Sequence, residues 1–343
     1  MLQCYALQQF LALKGYKVEV IDYRPEYLRK EYELFNRLRI ADSSIFRMLK
    51  NIIRDLWLLP FWLRRHRAFA RFLKEKLCLS EKVRGKDIPD GYDVYVSGSD
   101  QIWNPLITNG YDDVYFCHFR FEKGKRRYMS YAASMEVAAL GKEDVSSLSF
   151  LLDSFDAISV REDILVDMLQ PYAKRKIEQV LDPTLLLDAD VWERVAVRPS
   201  GRQKYVFVYQ VRENEHTMRV AQSVADELQA KVVSVVPYFC KKSLRMQTPG
   251  EFVGLIKYAE CVVTTSFHGT AFSVIFNRPF YTLLLKSGSD TRSSSLLHSL
   301  GLGERLVSLN EVPRFSQIDY TAANEALGRM REQSECFVEN SLQ

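Results

Sequence analysis

The chain has 343 residues, about twice the length of a typical domain, which sets an expectation of two domains or one large one. Hydrophobic residues make up 47 % and charged residues 26 %, an ordinary globular balance that excludes disordered, collagenous and low-complexity chains. The net charge of +4 is unevenly spread: residues 24 to 86 carry 17 Lys/Arg against 7 Asp/Glu, or +10, which leaves −6 for the rest.

No run of about 18 apolar residues is present, and the first twenty residues lack the basic start, apolar core and small-residue site of a secretory signal. The six cysteines (Cys4, Cys78, Cys117, Cys240, Cys261, Cys336) are scattered without a CxxC pair. That speaks against a zinc site or a disulfide framework and for reduced, mostly buried thiols in the cytoplasm.

In chain order, Leu2, Ala6, Phe10 and Leu13 stand at helical spacing, closed by Lys14-Gly15. The alternating run Val18 to Tyr23 then predicts a strand. A helix leading directly into such a strand is half of a βαβ unit, so the topology expects a further strand before Met1.

Residues 26 to 86 leave the α/β rhythm. Ile45, Leu49, Ile52, Ile53 and Leu56 form a helical stripe up to Pro60, and a basic amphipathic stretch runs from Arg64 to Lys74. Two inserted helices are expected. They serve either as a patch for anionic lipid, with Trp57 and Trp62 near the headgroups, or as a hairpin that packs its aromatics and leaves a solvated basic face. Nucleic acid is not expected as a partner, for no aromatic-interleaved recognition motif is present.

Alternation resumes with strands at Tyr92 to Val96, Val114 to Phe119 and Arg127 to Ala133, a helix from Glu143 to Asp153, a strand at Ala157 to Val160 and a helix through Leu169. Val180 to Leu187 reads as a short strand and connector. A second series follows: strands at Tyr205 to Tyr209, Val232 to Val236, Cys261 to Thr265 and Phe280 to Leu285, with helices at His216 to Leu228, Gly250 to Tyr258, Gly269 to Phe276 and Ser293 to Leu300. The expected fold class is α/β, with two Rossmann-type doubly wound domains. Residues 1–185 form the first, with its helical insertion at about 26–86; residues 186–320 form the second; 321–343 form a C-terminal helix or tail.

Ligands of such sheets bind beyond the carboxyl ends of strands, where helix N-termini offer N–H groups to anions. Four segments qualify. In Ser266-Phe267-His268-Gly269-Thr270, His268 is either an acid/base or a capping histidine. Arg161, at a strand end, either grips a carboxylate or phosphate or pairs with Glu162 or Asp163. Ser97-Gly98-Ser99-Asp100-Gln101-Ile102-Trp103 suits a hydroxyl-rich ligand or forms a tight turn with an Asp cap. Ser287 to Ser294, with Arg292, cradles a phosphate or forms a surface loop. HExxH, Walker A, GxGxxG and GxSxG are all absent, which lowers the standing of zinc proteases, P-loop enzymes, dinucleotide oxidoreductases and α/β-hydrolases.

The runs YALQQFLALKGYKVEVIDYRP, YDVYVSGSDQIWNP, YAAS, ISVRE, VLDPTLLL and VVTTSFHGTAFSVIFNRPF, in that order over residues 1 to about 300, resemble the polysaccharide pyruvyl transferase family. The resemblance implies a GT-B-like fold with the site in the cleft between two Rossmann-type domains. It also implies transfer of pyruvate from phosphoenolpyruvate to two sugar hydroxyls as a cyclic ketal, in exopolysaccharide or capsule biosynthesis. No cofactor is implied; phosphoenolpyruvate is a co-substrate. The family's histidine matches His268, expected as general acid/base, and its strand-end arginine matches Arg161, expected to hold the donor.

Ser97, Gly98, Ser99, Asp100, Gln101, Trp103, Ser266, Gly269, Thr270 and Arg292 are the expected substrate-binding residues, and no metal is expected, although Asp100 and Asp182 can bind a cation weakly. The family generally carries an arginine just before the histidine, where this chain has Phe267; the lost contact is worth about 1.5–3 kcal/mol unless another cation such as Arg292 replaces it. The chain thus follows a Ser-Phe-His-Gly branch. The alternatives are a GT-B-like transferase with another donor, such as a nucleotide sugar, and a non-catalytic glycan-binding or assembly protein. The expected partner is a glycan or lipid-linked sugar acceptor, with peripheral contact at the inner face of the membrane through residues 45–76.

Overall fold

A computed structural model describes residues 1–27, 45–119, 126–136, 145–201, 203–211, 213–235, 248–285 and 290–342. The predicted loop residues Ser287, Gly288 and Ser289 lie outside them, as does Cys240.

The chain opens with helix α1 (Leu2–Leu13), which buries Tyr5, Ala6, Leu7, Phe10 and Leu11. Strand β1 (Val20–Tyr23) follows and pairs in parallel with β2 (Leu79–Val83). The sequence gives β2 little signal, because Leu-Ser-Glu-Lys-Val turns a mostly polar face outward at the edge of a two-stranded sheet. Between them runs α2 (Ile45–Lys76), a single helix of 32 residues with Pro60 inside it, where two helices are expected. Proline removes one backbone donor and crowds the carbonyl four residues back. Pro60 is exposed and Leu56 is 62 % exposed, so the carbonyl left without its partner faces water and the helix continues.

The first main sheet is parallel, in the order β3 (Val94–Asp100), β4 (Arg127–Ala133), β5 (Ile158–Val160), β6 (Ile177–Gln179). Its central strands β4 and β5 are almost wholly buried, while β3 alternates and β6 at the edge buries only Ile177. The connecting helices are α3 (Pro105–Thr108), capped by the Asn104 side chain, α4 (Val145–Leu152) and α5 (Asp163–Leu169).

The strand expected at Val114 to Phe119 is instead a series of turns. Its alternation comes from a loop that tucks Val114, Phe116 and Cys117 into the core. The Tyr115 carbonyl there accepts hydrogen bonds from Ser97 Oγ and Trp103 Nε1. Likewise, the strand read at Val180 to Leu187 becomes the short helix α6 (Pro183–Leu186), capped by Asp182, and α7 (Ala189–Glu193) follows.

The second sheet is also parallel: β11 (Leu306–Val307), β10 (Phe280–Leu283), β9 (Cys261–Thr264), β7 (Tyr205–Tyr209), β8 (Lys231–Val235). Its helices are α8 (Glu215–Glu227), α9 (Pro249–Lys257), α10 (Phe267–Ile275) and α11 (Asp290–Ser299). Strand order reverses at β7, with β8 on one side and β9 on the other, so a crevice opens at the carboxyl ends of β7 and β9.

The last helix, α12 (Thr321–Leu342), returns to the first sheet. Its Ser334 Oγ accepts from the Leu181 N–H, and Phe337 contacts the Tyr131 ring. The largest apolar cluster joins both halves, from Tyr5 and Tyr131 through Trp192 to Phe207 and Phe272. All five described cysteines are free, and Cys78 and Cys336 are exposed, against the mostly buried thiols expected.

Candidate active site

The carboxyl ends of β3, β5 and β6 bring Asp100, Arg161 and Asp182 against the start of α10. Arg161 sits at the centre, with 3 % of its side chain exposed. Its Nη1 donates to Asp182 Oδ2 at 2.8 Å, its Nε to Glu162 Oε1 at 3.0 Å, and its Nη2 lies 3.5 Å from Asp100 Oδ1. The guanidinium stacks over the Phe267 ring, 4.5 Å from its centroid. Burial works against the Arg161 charge, but Glu162, Asp182 and Asp100 together raise its pKa above the ordinary value. Most of that charge is thus met inside the protein, which supports the pairing with Glu162. The other half of the reading survives in Nη2, a buried donor without a hydrogen-bond partner.

His268 stands in the first turn of α10, its Nε2 3.9 Å from Asp182 Oδ2, which is too far for a hydrogen bond. The imidazole meets the edge of Phe267 at 5.4 Å, so Phe267 touches both Arg161 and His268. Burial lowers the pKa of His268 below the usual histidine value; Asp182 and Asp100 pull the other way without overcoming it. At neutral pH the ring is neutral and able to take a proton. Its Nε2 is buried and unpartnered, while 23 % of the side chain stays exposed.

Asp182 is fully buried and caps α6 by accepting from the Thr184 N–H at 3.0 Å and its hydroxyl at 2.7 Å. Burial alone would raise its carboxyl, but His268, Arg161 and the Thr184 bonds outweigh it and hold the group below the usual range. Asp100, at φ +87°, accepts from Gln3 Nε2 at 3.0 Å. There too burial is overcome, by Arg161, His268 and Arg292, and the carboxyl stays ionised. Glu162 is the exception: burial raises its pKa despite Arg161 and the Ser134 hydroxyl, which donates at 2.8 Å. Arg292, in the first turn of α11, lines one pocket with Arg161, Asp182 and Phe267. Burial and the neighbouring Arg161 push its pKa down.

Native interiors rarely leave polar atoms unpaired. Of the ten buried side-chain polar atoms without a partner among the described residues, four belong to this group: Arg161 Nη2, Glu162 Oε2, His268 Nε2 and Arg292 Nε. Two of the four are guanidinium nitrogens, which only donate, and this suits an acceptor-rich ligand.

Several expected binding residues have structural duties instead. Trp103 is fully buried, stacks on Phe116 at 5.0 Å and spends its N–H on the Tyr115 carbonyl. Ser97 Oγ is spent on the same carbonyl. Thr270 shares a 2.7 Å hydrogen bond with Thr282 and donates to the Ser266 carbonyl. Gly269 gives α10 its approach to β9: a Cβ there would lie 2.3 Å from Thr264 Oγ1. At Gly98 a Cβ would lie 1.9 Å from the Tyr131 carbonyl oxygen, so glycine lets β3 and β4 close up. Ser99 Oγ sits 3.5 Å from Asp182 Oδ2, and Gln101 Nε2 is buried without a partner. Ser266 is the N-cap of α10 but makes no side-chain cap, which leaves that helix end uncapped by a side chain. No group of three or more His, Cys, Asp or Glu side chains among the described residues is arranged to hold a metal ion.

Sequence reasoning passed over Gln3 and gave Asp182 only a weak cation role. The Asp-Pro-Thr order was a usable signal, since Asp before Pro marks a helix N-cap.

The pair Asp182–His268 makes a testable statement about pH. Asp182 favours imidazolium, so Asp182→Asn will lower the His268 pKa further below 6.5, read by NMR titration of the ring. An unchanged or raised value would show that Asp182 does not govern His268.

No curated protein matches the sequence. Among solved structures, UGT89C1 of Arabidopsis thaliana is similar at 12 % identity and a TM-score of 0.40, covering 98 % of this chain and 91 % of that one. A UDP-N-acetylglucosamine 2-epimerase of Rickettsia bellii is similar at 11 % identity and a TM-score of 0.39, covering 99 % and 93 %. The family model for polysaccharide pyruvyl transferase matches residues 1–287. With the whole first half and most of the second inside that match, the chain belongs to the polysaccharide pyruvyl transferase family.

Proposed function

We propose that the protein transfers pyruvate from phosphoenolpyruvate to two hydroxyls of a sugar in a polysaccharide precursor, forming a cyclic ketal. The observation that carries this reading is the pair of buried, unpartnered guanidinium nitrogens on Arg161 and Arg292, beside the unpartnered Nε2 of His268, at the carboxyl ends of parallel strands. A carboxylate and a phosphate on one small donor supply the acceptors such a set lacks.

Arg292 takes the role of the cation that Phe267 does not provide, and Arg161 adds Nη2, which makes no hydrogen bond within the protein. Phe267 keeps the guanidinium in place from below. In the reaction the donor's methylene carbon gains a proton and its C2 becomes oxocarbenium-like. Two C–O bonds form to the sugar and the C–O bond to phosphate breaks. Of the two hydroxyl protons released, one balances the proton gained by the methyl group and the other leaves with phosphate. The neutral His268 is the base that receives a hydroxyl proton and then the acid that delivers it to the donor's methylene carbon. Asp182 stabilises the imidazolium formed in between.

The direct test is binding. At a tenfold excess over its Kd, phosphoenolpyruvate should stabilise the fold by about 1.4 kcal/mol, seen as a rise in melting temperature. The rise should disappear in Arg292→Gln. Stabilisation by a nucleotide sugar, with none by phosphoenolpyruvate, would replace this donor with another. Stabilisation by neither, with the glycan unchanged in a His268→Ala strain, would point to a non-catalytic protein.

A further inference from the structure

We propose that the outer face of α2 is a docking surface for an anionic lipid bilayer, a property separate from the chemistry proposed above. The helix is about 48 Å long at 1.5 Å per residue. Its C-terminal part is anchored by Phe72, whose ring meets Tyr5 of α1 at 5.9 Å. At about 100° per residue, Leu56, Pro60, Arg64, Arg67, Arg71 and Lys74 fall within about 80° of the circumference, on the side away from Phe72 and Leu73. All six are exposed. Leu56, Arg67 and Lys74 lie nearly on one line, since eleven residues make about three turns and eighteen make five.

Two features of this line, taken together, bear on what it meets. None of Arg64, Arg67, Arg71 and Lys74 has a carboxylate partner among the described residues, whereas Lys14, Arg24, Lys86 and Arg126 elsewhere in the chain each have one. Four uncompensated cations within about 15 Å of helix repel one another unless anions lie across them. The same line also begins with an apolar side chain, Leu56, 62 % exposed.

A soluble polyanion would satisfy the cations but has no use for exposed leucine. A bilayer of anionic lipid takes both, the cations at the headgroup phosphates and the Leu56 side chain below them. No helix among the described residues is long and apolar enough to cross a membrane, so this contact lies along the surface.

The experiment is cosedimentation of the full chain with phosphatidylcholine vesicles, with and without phosphatidylglycerol. Partition onto the anionic vesicles, lost at about 0.5 M salt as screening shortens, is the expected result. Each cation removed should weaken it about fivefold, so Arg64→Gln, Arg67→Gln, Arg71→Gln and Lys74→Gln together should weaken it several-hundredfold. Leu56→Gln alone should weaken it about tenfold. These side chains are exposed, so the melting temperature should stay where it is.

Equal partition onto neutral and anionic vesicles, or an unchanged quadruple variant, overturns the proposal. So does binding to a soluble acidic polysaccharide with none to vesicles, which assigns the stripe to glycan. A dimer that Leu56→Gln dissociates, again without vesicle binding, assigns it to a second copy. Transfer from phosphoenolpyruvate is a separate measurement, so either reading can fail without the other.

Discussion

His268→Ala will remove transfer while leaving both the fold and donor binding in place. An acid/base group of this kind contributes about 10²–10⁴-fold to rate. The ring makes no hydrogen bond through Nε2 and keeps part of its surface exposed, so the rest of the site does not hang from it. The measurement is ketal-linked pyruvate released by mild acid from the glycan of cells carrying each variant, beside the melting curve of the purified protein with phosphoenolpyruvate. Loss of pyruvate with an unaltered ligand-induced shift is the expected pair of results. A variant that transfers within tenfold of the original would reduce His268 to a packing residue.

Arg161→Ala will act the other way, on stability before chemistry. It leaves Asp182 and Glu162, 0 % and 2 % exposed, without their cation. Removing one partner of a buried pair costs about 3–5 kcal/mol, because the remaining charge is stranded. For Arg161 the loss should appear as a lower urea midpoint. The triple change Arg161→Ala, Glu162→Gln, Asp182→Asn should recover much of it, since no stranded charge is left. If Arg161→Ala unfolds at the original midpoint, Arg161 is a ligand-binding arginine and the carboxylates around it are not held by its charge. Arg292→Gln provides the contrast: Arg292 has an unpartnered Nε, so its loss should weaken donor binding with little effect on the midpoint.

These two arginines show what the sequence could and could not convey. Both were legible as strand-end or loop cations near a switch point, because parallel sheets announce themselves through apolar runs such as Tyr205 to Tyr209 and Cys261 to Thr264, and ligands gather beyond their carboxyl ends. Which arginine is neutralised depends on Asp182 and Asp100, 21 and 61 positions from Arg161 in the sequence, and no local pattern encodes that distance. Trp103 failed for a related reason. Next to Ser-Gly-Ser-Asp-Gln it looks like a ligand platform, yet the turn at 113–117 folds over it and takes its N–H. The same turn mimicked a strand, since a loop lying on a core also alternates between inward and outward side chains. The α2 helix was read as two because proline in mid-helix is costly on average, whereas here the strained turn faces water.

The return of α12 bears on how the molecule is made. Its Arg331 donates to the Leu185 and Leu187 carbonyls and to Asp188, while Lys14 in the cap of α1 pairs with Glu335 and Glu339. Residues 181–188 and α1 belong to the half that leaves the ribosome first, but α12 follows the whole second sheet. The first half therefore waits, with the Leu181 N–H and the Leu185 and Leu187 carbonyls lacking these partners, until some 140 further residues have been translated. Completion of the first half is thus linked in time to the second: its final helix arrives only after the second sheet has been translated.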